Sequence, residues 1–151
     1  MENVFEKVTR IGIDTSLFIY FIEENEKYLE FLTSLFKKID IGSIKAFSSV
    51  LTLAEVLVRP FVKGEQYLIN EYISILTGCE NLSLIPGEKE IAVLAAKIRA
   101  KNGLKLPDAL HFATAKVYKC ELFITNDKHF NGISDSEIQI VLLDDLLDKN
   151  A

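Results

Sequence analysis

Residues 10–21 read RIGIDTSLFIYF, and their order decides how the whole chain is organised. Arg10 to Ile13 has the composition of a short strand. Asp14, Thr15 and Ser16 follow, and Leu17 to Phe21 continue as an apolar run long enough for a helix. A strand that hands a carboxylate to the start of a helix opens a strand–helix–strand unit. Asp14 has a local use there, because Asp, Thr and Ser accept hydrogen bonds from the N–H groups that a first helical turn leaves unpaired. The apolar run reads as core, with Tyr20 the residue in it suited to face a partner subunit, since aromatics are enriched in interface cores.

The alternation continues along the chain. NEKYLEFLTSLFKKI places Tyr28, Leu32, Leu35, Phe36 and Ile39 on one helical stripe. EQYLINEYISILTG does so with Leu68, Tyr72, Ile75 and Leu76 and ends on Gly78, read as its C-cap. LIPGEKEIAVLAAKIRA follows a Pro-Gly turn with Ile91, Leu94, Ala95 and Ile98. Between the helical patterns lie the short strand-like runs VTRIGI, IKAFSSV, NLSLI, ELFIT and EIQIVLL, and the chain closes on a polar tail, DKNA. Strands alternating with helices predict an α/β fold with a parallel sheet covered on both faces and right-handed crossovers. At 151 residues, without a repeat or linker, a single domain spanning 1–151 is expected.

Composition narrows the function. The 17 basic residues are outnumbered by 22 acidic ones, for a net charge of −5, so no global basic field coats nucleic acid. An enzyme that meets phosphates through bound cations remains open. Cys79 and Cys120 stand alone, which suggests neither a zinc site nor a disulfide framework, and free thiols in a reducing compartment are expected. The N-terminus lacks a signal-peptide pattern, and no apolar run approaches the ~20 residues of a membrane span. A cytoplasmic protein is expected.

Four acids matter because of where this layout puts them. Asp14 ends the first strand, and Glu55 lies in the first turns of the helix TLAEVLVR after the second. Asp108 opens the helix PDALHFATAKVY, and Asp127 follows the fourth strand. Helices of such units run antiparallel to the strands, so their N-termini meet the carboxyl edge of the sheet, where open parallel sheets keep their ligands. Each acid also has a local explanation. Asp14 could cap a helix; Glu55, three residues after Thr52, fits a capping box; Asp108 after Pro107 complements a helix dipole; Asp127 suits a turn. Their joint arrival on one edge is the unusual feature. At ~4 Å, each ionised pair would cost ~4 kcal/mol at an effective dielectric of 20, so the cluster needs a cation or a captured proton. Oxygen ligands without paired His or Cys favour Mg²⁺ or Mn²⁺, which activate water and stabilise a leaving oxygen in phosphodiester hydrolysis. A metal-dependent nuclease or phosphatase is indicated.

In this order, IGIDTSLFIYF, TLAEVL, KLPDALHFATA and FITNDKHF resemble the motifs of the PIN-domain nucleases, most of all the VapC-like toxin ribonucleases of toxin–antitoxin pairs. The likeness covers nearly the whole chain. It implies a three-layer sandwich whose central parallel sheet, of order 3-2-1-4-5, is flanked by helices. It implies that Asp14, Glu55, Asp108 and Asp127 hold Mg²⁺ or Mn²⁺, that Ser16 supports the site by hydrogen bonding, and that Thr125 matches the hydroxyl two places before the last acid. It implies an RNA substrate, a small antitoxin that enters the active-site groove, and a homodimer; in-line attack by a metal-activated water would leave a 5′-phosphate and a 3′-hydroxyl. Arg59, Lys63, Lys105 and Lys128 flank the acidic motifs and are candidates for phosphate contacts. His111 and His129 stay outside the catalytic set, the first as a residue ordinary at its place in the motif, the second as a solvated loop residue.

Three alternatives compete with a toxin ribonuclease. One is a PIN nuclease outside any toxin–antitoxin pair. A phosphatase with Asp14 as nucleophile would normally carry a second Asp two places on, where this chain has Ser16. A PIN-like module that only binds RNA or protein has little reason to keep four mutually repelling acids.

Overall fold

The computed structural model describes residues 2–149. Five strands, β1 (Arg10–Ile13), β2 (Lys45–Ser49), β3 (Leu82–Ile85), β4 (Leu122–Thr125) and β5 (Gln139–Leu142), form one sheet in the order β3-β2-β1-β4-β5. Every neighbouring pair is parallel, with Ile11 opposite Ala46 on one side and Leu122 on the other. Each strand lies within a run expected from sequence, and the strand order is the one the resemblance implied. Among the described residues, no helix is long and apolar enough to cross a membrane.

Helices fill the crossovers. A short α1 (Glu2–Phe5) precedes β1; α2 (Thr15–Ile22) and α3 (Leu29–Asp40) join β1 to β2; α4 (Leu51–Lys63) and α5 (Gln66–Gly78) join β2 to β3. Then α6 (Lys89–Asn102) and α7 (Leu106–Val117) lead to β4, and α8 (Leu143–Lys149) follows β5. The alternating pleat of the central strands divides the core into two layers. Ile11, Ile13, Leu122 and Ile124 pack with Leu17, Phe18, Leu32 and Leu35 on one face. Phe47 and Phe123 pack with Phe112, Ala113 and Ala95 on the other. Leu32 and Leu35 are fully buried, and side chains of this kind contribute about 1.5–3 kcal/mol each.

Gly12 sets how closely α7 can lie on the sheet. A Cβ built there would stand 2.5 Å from Ala115 Cβ, so only glycine lets the helix seat against β1. At the far end of the helix, the Arg10 guanidinium lies over the Phe47 ring, 4.3 Å from its centroid, and donates to the Tyr118 carbonyl. Strand β1 thus holds both α7 and the residue at its own carboxyl end, Asp14.

Four local expectations change. Gly78 is the last residue of α5 but not a left-handed cap; that conformation falls to Gly64 after α4 and Gly103 after α6. Thr52 does not form a capping box with Glu55, because α4 already starts at Leu51 and the Thr52 hydroxyl is turned inward. Pro107 is the second helical residue of α7 rather than the first. Most of LLDDLLDK is helical rather than strand and tail, since Leu143 and Leu146 recur on one face and are buried. Of the tail DKNA, Asn150 and Ala151 lie outside the described residues.

Candidate active site

The sheet order reverses direction beside β1: the chain passes from β1 to β2 and β3 on one side, then returns to β4 on the other. Such a reversal opens a crevice at the carboxyl ends of the two central strands. Asp14 sits on one lip, directly after β1, and Thr125 and Asp127 on the other, at and after β4.

Asp14 is buried, with its side chain fixed at both oxygens. Oδ1 accepts from the Thr15 N–H at 2.8 Å as the N-cap of α2, and Oδ2 accepts from Thr125 Oγ1 at 2.6 Å. The same Thr125 hydroxyl oxygen accepts from the Asp127 N–H at 3.1 Å. One fully buried hydroxyl therefore ties the two acidic lips together. Asp127 Oδ1 caps the short 3-10 turn 128–130, accepting from the His129 N–H at 2.9 Å and from His129 Nδ1 at 2.7 Å. His129 is itself exposed, as expected of a loop residue.

Glu55 reaches the edge from α4. Its Oε1 accepts from Thr15 Oγ1 at 2.9 Å and from His111 Nε2 at 2.6 Å. An ionised carboxylate has only acceptors, which assigns a proton to Nε2. The His111 bond is the main influence holding the Glu55 carboxyl below its usual pKa; burial opposes it, while the His111 charge and Thr15 assist. For His111 itself, burial acts to lower the pKa, but the Glu55 bond and the charges of Asp14, Glu55 and Asp108 outweigh it and raise the net value. Beneath this pair, Thr15 Oγ1 lies 3.2 Å from Thr52 Oγ1, which lies 3.0 Å from Ser48 Oγ; Ser48 donates to the Ile13 carbonyl at 2.8 Å. The turned-in Thr52 thus links β1, β2, α2 and α4 under the edge.

Asp108 occupies the first turn of α7 and is half-buried. Burial pushes its pKa up, and the charges of Asp127, Asp14 and Glu55 push the same way. The fourth acid therefore feels the other three. Of the candidate cations, Arg59 and Lys63 line with Glu55 a small cleft of about 120 Å³. Lys105 stands at the N-cap of α7 and Lys128 directly follows Asp127.

Ser16 behaves differently from expectation. Its Oγ is buried and has no hydrogen-bond partner, while the two Asp14 oxygens accept from Thr15 and Thr125 instead. The hydroxyl of α2 that reaches a carboxylate is Thr15, which the sequence offers only as a helix cap, and the second donor is His111, which the motif reading leaves outside the catalytic set. The available signals were a hydroxyl inside Asp14-Thr15-Ser16 and a His three places after Asp108, on the same helix face.

The donor chemistry fits a hard divalent cation: all four acids offer oxygen, and they repel one another at Asp108. Among the described residues, no three His, Cys, Asp or Glu side chains converge as a closed metal cage would. The engaged oxygens of Asp14, Glu55 and Asp127 make this an edge of separately anchored carboxylates.

A family model described as PIN domain matches residues 11–135. No curated protein sequence matches the chain. Solved structures similar to it include a toxin–antitoxin complex from Klebsiella pneumoniae, at 20% identity and a TM-score of 0.62 over 89% of this chain and 98% of that one. VapBC2 from Rickettsia felis, bound to a promoter DNA fragment, gives 16% identity and a TM-score of 0.67 over 89% and 98% of the two chains. VapBC-5 from Mycobacterium tuberculosis gives 21% and 0.52 over 87% and 96%. At these identities the likeness is one of fold.

Proposed function

Since the chain belongs to the PIN-domain family, we propose that it is a Mg²⁺- or Mn²⁺-dependent endoribonuclease and the toxin of a toxin–antitoxin pair, acting in the cytoplasm. The observation that carries the reading is the tie through Thr125 between Asp14 and Asp127, beside an Asp108 that feels the charge of the other three acids. An edge of four carboxylates is a costly arrangement for a protein that only binds an anionic polymer.

In this reading Asp14, Glu55, Asp108 and Asp127 hold the cation. Such an ion supplies positive charge against the phosphodiester and an activated water, with a 5′-phosphate and a 3′-hydroxyl as products. Thr125 keeps Asp14 in one rotamer and fixes the backbone that presents Asp127. Ser16 Oγ, buried and unpartnered, is a hydroxyl still free to support a bound group. Arg59, Lys63, Lys105 and Lys128 contact backbone phosphates and position RNA without reading its sequence. The similarity to toxin–antitoxin complexes supports an antitoxin as partner; a homodimeric toxin belongs to the same proposal.

The test is cleavage of total RNA by the purified, antitoxin-free protein with Mg²⁺ or Mn²⁺, beside EDTA and Asp14→Asn controls, with fragment ends mapped. Discrete cuts bearing 5′-phosphates, lost in both controls, are expected. A 2′,3′-cyclic phosphate, or cutting that persists in EDTA, would refute the mechanism.

A further inference from the structure

His111 is the buried side chain whose placement calls for a function. It lies on α7 with its side chain 2% exposed, and its Nδ1 has no hydrogen-bond partner. Burying an imidazole is costly unless its polar atoms are satisfied, and an apolar side chain would fill the space without that cost. All of its hydrogen bonding runs through Nε2, to Glu55 Oε1 at 2.6 Å and to Thr15 Oγ1 at 3.3 Å. Glu55, by contrast, is 40% exposed and has three side-chain torsions to lose on binding anything. A buried, packed ring thus grips the carboxylate of a flexible, partly exposed acid.

We propose that His111 is a positioning residue for Glu55: with Thr15 it occupies Oε1 and so presents Oε2 as the oxygen offered to a divalent cation. The proposal rests on the reading of Glu55 as a metal-holding acid. Both donors converge on one oxygen and arrive from different elements, α2 and α7, while Glu55 itself comes from α4. Three elements that meet only in the folded chain thereby set the direction of one carboxylate. Partners of this kind orient a ligand before the ion arrives, and their loss typically costs about 10–100-fold in metal affinity.

The test is Mn²⁺ binding to the full chain, followed by the EPR signal of free Mn²⁺, with RNA cleavage measured in parallel. The amide nitrogen of Gln can stand where Nε2 stands, whereas that of Asn reaches only the Nδ1 position. His111→Gln is expected to bind Mn²⁺ close to wild type, and His111→Asn and His111→Leu about 10-fold or more weaker. His111→Leu should add no further loss to Glu55→Gln. If His111→Leu does not fold, Thr15→Val removes the second donor to the same oxygen and should also weaken binding. Wild-type affinity in His111→Leu, or equal losses in the Gln, Asn and Leu variants, would overturn the proposal, as would a full extra loss in the Glu55→Gln background. The parent reading fails separately: Asp14→Asn and Glu55→Gln that both bind Mn²⁺ like wild type would remove the metal site itself. Weakened binding in those two variants beside an unaffected His111→Leu would sink only the role of His111.

Discussion

Replacing Gly12 by Ala probes the contact that seats α7 on the sheet. The added Cβ would stand 2.5 Å from Ala115 Cβ and 3.1 Å from Phe123 Cδ1. Carbon atoms prefer about 3.5–4.0 Å, so β1 and α7 must part by roughly 1 Å. Ala115 has no torsion with which to step aside; its Cβ moves only with the helix backbone. Overpacking of this kind costs about 1–3 kcal/mol. For a chain of this size that is a fall in Tm of roughly 2–12 °C. Cleavage should fall as well, because α7 carries Asp108 and His111 while β1 ends on Asp14, and a displacement of about 1 Å can cost about 10²-fold in rate. The assay is thermal unfolding followed by circular dichroism, with RNA cleavage below the transition. Ala115→Gly makes room, at about 1 kcal/mol of helix propensity by itself, and in the double variant most of the Gly12→Ala penalty should vanish. An unchanged Tm for Gly12→Ala, or strictly additive losses in the double variant, would refute the reasoning.

Thr125→Val keeps the shape but removes the donor to Asp14 Oδ2 and the acceptor for the Asp127 N–H. A loss of about 1–3 kcal/mol in a denaturant titration is expected, with cleavage falling about 10–100-fold. Asp108→Asn should abolish cleavage yet raise Tm in EDTA by roughly 1–4 °C, since it removes the carboxylate that burial and its three acidic neighbours disfavour; a lower Tm would count against the repulsion. Burial opposes ionisation of Asp135, but the Lys116 bond at 2.6 Å and the Glu137 and Ile138 N–H groups outweigh it and lower the pKa. This stabilisation is fully present above the unfolded pKa of about 3.9 and is lost as pH falls through the lower folded value. Asp135→Asn should therefore lose about 1–2 kcal/mol at pH 7, and the gap to wild type should close in melts at progressively more acidic pH.

The strands and the main helices were legible because periodicity is local: Leu32, Leu35 and Ile39 recur on one stripe and are buried as read. The common edge of the four acids followed from the polarity of strand–helix units, before any side chain was placed. Local signals failed where one residue type serves two purposes. Thr52 and Glu55 have capping-box spacing, yet Thr52 points inward to Ser48 and Thr15, and Glu55 turns to His111. Gly78 looked like a cap, but a glycine at a helix end is needed only where the backbone turns left-handed, as at Gly64 and Gly103. The pairing of His111 with Glu55 was not legible, because the two lie 56 residues apart and no short-range pattern encodes it.

The sequence by itself determined the alternation of strands and helices and the edge on which the acids gather, because backbone geometry and hydrophobic periodicity act over a few residues. Only the tertiary structure decided which hydroxyl holds which carboxylate. It chose Thr125 for Asp14, and Thr15 with His111 for Glu55, while leaving Ser16 without a partner. Those choices depend on how closely α2, α4 and α7 pack on the sheet, and the packing of α7 turns on the missing Cβ of Gly12.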